Sequence, residues 1–121
     1  MNDLVDKAVA AAANAYAPYS NYAVGAVVRT TDGREFAGVN VENAAYPLGV
    51  CAEKTALGAA ASAGYRPGDI AAIGINASPC GGCRQWIYEW RIPEVSFLRD
   101  DGTVATYSAG DLLPDTWNLP E

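Results

Sequence analysis

Residues 69–90 read DIAAIGINASPCGGCRQWIYEW, and their order decides the fold class. Positions 69–76 are a short, isoleucine-rich apolar run, which predicts a buried strand. Pro79 breaks the chain, and a helix is expected from there to about Trp90, stopping before Pro93. In α/β sheets, ligands bind beyond the strand ends, where helices begin. Cys80 and Cys83 stand at this helix start.

Upstream, residues 3–16 are alanine-rich and predict a helix, with Val5, Val9, Ala12 and Tyr16 along one face. Pro18 stops it, and PYSN is a turn. Residues 23–30 and 35–41 flank the turn TDG and predict a β-hairpin. YPLG breaks the chain again, and a second helix is expected from Cys51 to about Gly64. Downstream, EVSFL and TVATY flank RDDG, so the last two strands are expected to be antiparallel. SAGDLLP predicts a short helix and DTWNLPE a tail. The expectation is a three-layer α/β/α fold on a five-stranded mixed sheet with right-handed crossovers, built as a single domain over residues 1–121. Cys51 and Cys80 then fall at two helix starts.

Fourteen acids against eight scattered bases give a net charge of −6. A nucleic-acid polymer needs a basic stripe, which is missing, so a small-molecule ligand is expected. No run of about 18 apolar residues predicts a membrane span. The acidic N-terminus does not read as a signal peptide, and the expected location is the cytoplasm. Three cysteines fit poorly with a disulfide framework.

There is no histidine to complete a metal site. Cys80 and Cys83, three apart at a helix start, can nevertheless reach one ion, and Cys51 can supply a third thiolate. Three protein ligands leave a tetrahedral zinc with an open position, the catalytic arrangement. The cysteines alone also allow a thioredoxin-like pair, with Cys51 a small buried hydrophobe. Glu53 favours the metal reading. Zinc deaminases are described as pairing such ligands with a glutamate two residues after the first, which shuttles protons without binding the metal. Zinc acidifies water, and the carboxylate carries its proton to the ring and the leaving amine.

The chain resembles the cytidine deaminase family, in its small homotetrameric, three-cysteine zinc form. AYAPYSNYAVGA (15–26), GVNVENAAYPLGVCAEKTA (38–56), SPCGGCRQ (78–85) and DLLPDTW (111–117) carry the resemblance, in the family's order. It implies Zn2+ on Cys51, Cys80 and Cys83, with Glu53 as general acid/base. Asn40 and Glu42 would bind the ribose hydroxyls, the Ala52 N–H would hold the pyrimidine carbonyl, and Tyr22 would line the base. Tyr46 and Trp117 would reach a neighbour's pocket, so that the subunits of a homotetramer share sites. Lys54, Arg84 and Gln85 would support the ligands from behind.

Three departures stand out against that pattern. The 75–79 connection is short, the segment after LLP lacks an acidic stretch, and Lys54 replaces an arginine. The implied activity is hydrolytic deamination of cytidine or 2′-deoxycytidine with release of ammonia. Its rivals are a deaminase of another aminopyrimidine nucleoside such as blasticidin S, an inactive zinc-binding relative, and a thiol redox protein.

Overall fold

The computed structural model describes residues 2–117. Its elements are α1 (Asp3–Ala11), β1 (Gly25–Thr30), β2 (Glu35–Val39), α2 (Ala52–Ser62), β3 (Ile70–Ile75), α3 (Gly81–Glu89), β4 (Glu94–Leu98), β5 (Val104–Tyr107) and α4 (Ala109–Leu112). Single 3-10 turns occupy Ala12–Asn14 and Tyr46–Leu48. The five strands form one sheet in the order β2-β1-β3-β4-β5. Only β3 and β4 run parallel; the other neighbouring pairs are antiparallel, including β4 with β5. The expected mixed α/β sheet is therefore present. The end of the predicted tail, 118–121, lies outside the described residues.

Period-two alternation along the strands makes the two faces of the sheet. Ala26, Val28, Ile73 and Ile75 join the large core, together with Ala52, Ala56, Leu57 and Ala60 of α2 and Ile87 of α3. Val27 and Ala72 point the other way and meet Leu4 and Ala8 of α1. Helices thus cover both faces, with α1 alone on one side of the central strands.

The first helix differs from expectation. It ends at Ala11, and its buried residues are Leu4, Val5 and Ala8, followed by Ala12 in the 3-10 turn. Val9 and Tyr16 are exposed. The cause lies in the sheet. A Cβ on Gly25 would sit 2.2 Å from the Ala8 carbonyl oxygen, and one on Gly74 would sit 2.6 Å from the Leu4 Cβ. These two glycines leave a gap into which the Leu4–Ala8 side of α1 presses, so the helix turns that side inward.

Beyond the strands, Val41 and Val50 pair antiparallel and Tyr16 bridges Val41. The Val41–Val50 pair closes residues 42–49 into a loop and delivers the chain to Cys51 at the start of α2.

Candidate metal centre and substrate cavity

Cys51 is the N-cap of α2 and Cys80 the N-cap of α3, with Cys83 in the first turn of α3. The three sulfurs lie within 4.8 Å of one another, and those of Cys51 and Cys80 are 3.9 Å apart. Tetrahedral zinc–sulfur bonds of about 2.3 Å place neighbouring sulfurs about 3.8 Å apart. The donor set therefore fits a thiophilic ion, and Cys80 and Cys83 belong to a cluster of three and not to an isolated pair.

The electrostatics agree. Burial pushes the Cys51 thiol up, and burial together with the nearby Glu53 charge pushes Cys83 far up. Cys80 falls below its usual value: partial burial opposes this, but the Cys83 N–H and the Cys83 and Cys51 thiols donate to its sulfur. The backbone bond from Cys83 to that sulfur is 3.4 Å long. Cys80 is thus the most readily deprotonated of the three, and holding all three sulfurs as thiolates takes a cation.

Glu53, in the first turn of α2, is 3% exposed. Burial raises its carboxyl above the ordinary range, against the pull of its own backbone N–H, the Cys83 thiol and the Lys54 charge. A cavity of about 340 Å³ opens over it, near the lower end for small-molecule sites (~300 Å³). Cys51, Ala52, Glu53 and Cys80 line one part of this cavity, and Tyr22, Asn40, Glu42 and Tyr46 line another. Eight sequence-predicted site residues are thus gathered in one hollow from segments far apart in the chain.

Neither Asn40 nor Glu42 simply faces water. Asn40 accepts from the Val24 N–H at 2.9 Å and donates to the Tyr22 carbonyl at 2.8 Å. Glu42 accepts from the N–H groups of Tyr19 and Ser20 at 3.0 and 3.1 Å, and from the Ser20 hydroxyl. The hydroxyl and those N–H groups hold its carboxyl below the ordinary glutamate range. A carboxylate has about four acceptor sites, so one remains for a ligand hydroxyl. Ser20 was not singled out from the sequence. Its partner lies 22 residues away, and no local pattern connects them.

Tyr46 and the remaining candidates differ in their placement. Tyr46 is 75% exposed and packs edge-on against Tyr19, ring centres 5.9 Å apart, at the rim of its own chain's cavity. Trp117 is 72% exposed and does not line that cavity. Arg84 fastens the connection before α3: its guanidinium donates to the Pro79 carbonyl at 2.9 Å, and to the Ser78 hydroxyl and the Leu112 carbonyl at 3.2 Å each. Lys54 is half-buried, with its Nζ and the Cys80 sulfur both within 4.0 Å of the point where a Gly82 Cβ would stand. Gln85 is exposed and lines a different hollow, with Trp86 and Gly58, so it does not back the cysteines as expected. The turn of α3 that brings Cys83 inward carries Gln85 outward.

Three comparisons bear on this geometry. The profile of the cytidine and deoxycytidylate deaminase zinc-binding region matches residues 1–99. The cytidine deaminase of Mycobacterium tuberculosis is 41% identical, over 99% of this chain and 91% of its own. That of Halalkalibacterium halodurans is 45% identical, over 98% and 94%. The crystal structure of cytidine deaminase from Burkholderia pseudomallei superposes with a TM-score of 0.89 at 49% identity, covering 97% of this chain and 100% of that one.

Proposed function

This chain belongs to the cytidine and deoxycytidylate deaminase family, and from that premise we propose that it is a zinc-dependent hydrolase converting free cytidine and 2′-deoxycytidine to the uridines with release of ammonia. The observation that carries the reading is the buried Glu53 carboxyl, in one cavity with the cysteine cluster.

Cys51, Cys80 and Cys83 would hold the zinc, which supplies Lewis acidity that brings the pKa of water toward neutrality. Glu53 takes one proton from the attacking water and passes it to ring N3. It then takes the second from the hydroxyl now on C4 and delivers it to the departing amine, so that the C4–N bond breaks and the carbonyl of the uridine forms. Its burial suits a group that must both accept and give a proton. The N–H of Ala52, first residue of α2, faces the pyrimidine carbonyl at a helix start. Glu42 accepts from a ribose hydroxyl through its remaining lone pair, and Asn40 contacts the sugar through the second hydrogen of its amide. Tyr22 offers a ring face to the base.

Residues 1–121 form one catalytic domain in this reading, acting in the cytoplasm in pyrimidine salvage. Among the described residues, no helix is long and apolar enough to cross a membrane. The exposed Tyr46, Leu48, Val50 and Trp117 support a homotetramer whose subunits complete one another's sites. Purified protein is expected to carry zinc in equal proportion to chain and to bleach cytidine's absorbance on mixing. Metal-free protein with a Cys80–Cys83 disulfide and no turnover would refute the proposal. A panel of aminopyrimidine nucleosides separates cytidine from blasticidin S as substrate.

Three thiolates around zinc carry a net charge of −1, which makes ionising a water harder. Lys54 offsets that charge from the α2 side. Lys54→Gln is expected to slow turnover about tenfold, the lower end for groups that support metal ligands, with zinc still bound. Unchanged turnover across neutral pH would remove Lys54 from the mechanism.

A further inference from the structure

Asn40 and Asn76 occupy matching places in the sheet. Each is the first residue past a strand, β2 and β3 respectively, and those strands flank β1. Each makes the same three bonds to the segment that leads into β1. The Asn40 N–H donates to the Val24 carbonyl at 3.2 Å, its Oδ1 accepts from the Val24 N–H, and its Nδ2 donates to the Tyr22 carbonyl. One residue on, the Asn76 N–H donates to the Gly25 carbonyl at 3.2 Å. The Asn76 Oδ1 accepts from the Gly25 N–H at 3.0 Å, and its Nδ2 donates to the Ala23 carbonyl at 3.2 Å.

A side-chain amide carries a carbonyl and an N–H, as a peptide group does. The two asparagines therefore continue the ladders of β2 and β3 after the backbones of those strands have turned away. The alternation of an extended chain explains the division: Tyr22 and Val24 present their groups to one neighbour, Ala23 and Gly25 to the other. Tyr22 and Val24 also share one side of the segment, and both line the cavity. Asn76 does not line it, so any effect of Asn76 on a ligand passes through this strap.

We infer that Asn76 is a positioning residue for the substrate wall. With Asn40 it fastens residues 22–25 from both sides and holds Tyr22 in place beside the sugar and base. The inference rests on the nucleoside-deaminase reading for its ligand, but the clip itself is a property of the chain. It also gives the short 75–79 connection a function, since Asn76 secures its beginning and Arg84 its end at Ser78 and Pro79. Aspartate cannot replace asparagine fully. It keeps the acceptor for Gly25 but turns the donor for Ala23 into a second acceptor.

The test uses zinc-loaded protein and two readouts, amide hydrogen exchange and steady-state kinetics with cytidine. In Asn76→Ala the Gly25 amide should lose protection, and KM should rise about tenfold, the worth of two neutral hydrogen bonds. With Glu53 and the cysteines untouched, kcat should stay within about twofold. Asn76→Asp should keep the Gly25 amide protected and raise KM less; it also serves if the alanine variant does not fold. In a Tyr22→Ala background, Asn76→Ala should add little, because both changes act on one element. Unchanged Gly25 protection, unchanged KM, an equal fall in kcat, or additive effects with Tyr22→Ala would each overturn the proposal. A wild-type chain that binds zinc but ignores cytidine would refute the functional reading instead, and Gly25 protection would still decide the clip.

Discussion

Glu53→Gln should retain zinc and fold while losing cytidine turnover by about four orders of magnitude, the upper end for a positioned acid–base group. Glutamine keeps the size of the side chain and its capacity for hydrogen bonds, but it cannot accept and release a proton. Stability should move the other way. Glu53 is buried, and burial disfavours its charged form. Removing that liability should leave Tm equal to wild type or raise it, a gain made at the cost of function. Zinc content, a melting curve and single-turnover absorbance on one preparation check all three points. Residual turnover within about tenfold of wild type would deny Glu53 the proton-carrier role.

Gly38→Ala should unfasten the metal centre from the opposite side of α2. A Cβ there would stand 2.3 Å from the Ala56 nitrogen, 2.4 Å from the Thr55 Oγ1 and 2.5 Å from the Ala52 carbonyl oxygen. Two of these are backbone atoms in the early turns of the helix, and no rotamer change relieves them. The third belongs to a hydroxyl already committed, since Thr55 donates to the Val39 carbonyl at 2.8 Å and so holds α2 against β2. The methyl must push α2 off the sheet and carry Cys51, Ala52 and Glu53 away from Cys80 and Cys83. Overpacking of this kind costs about 1–3 kcal/mol, and backbone contacts this close put the expected loss near the top of that range. Zinc retention on dialysis against a chelator should fall with it. Wild-type melting and zinc retention together would show that α2 is not seated through Gly38.

Other residues show how far a local pattern carries. The hairpin of β1 and β2 was legible from TDG alone, and Gly33 takes the left-handed conformation such a turn needs, with φ +93°. The CxxC pair was legible because three residues along a helix return to the same side. The face of α1 was legible only in part. Val5 and Ala12 are buried as expected, but Val9 is exposed, because the gap at Gly25 and Gly74 admits the Leu4–Ala8 side, and Tyr16 lies past the helical turns and bridges Val41 instead.

The long-range hydrogen bonds were beyond reach as well. Ser20 meets Glu42 22 residues away, and Asn76 meets Ala23 at a separation of 53. Such bonds join a side chain to whatever crosses it in space, and they leave no period or spacing along the chain.

The order of elements, the mixed sheet, the three cysteines that cluster and the acid beside them were written in the amino-acid order, because hydrophobic period, turn chemistry and helix-start positions act over a few residues. Tertiary structure alone decided that Val9 of α1 stays exposed, that Asn40 and Glu42 are braced by the Tyr19–Val24 strap, that Gln85 looks away, and that Asn76 secures the wall. Those outcomes depend on which distant backbone groups meet across the sheet, and that is settled only when the strands pair.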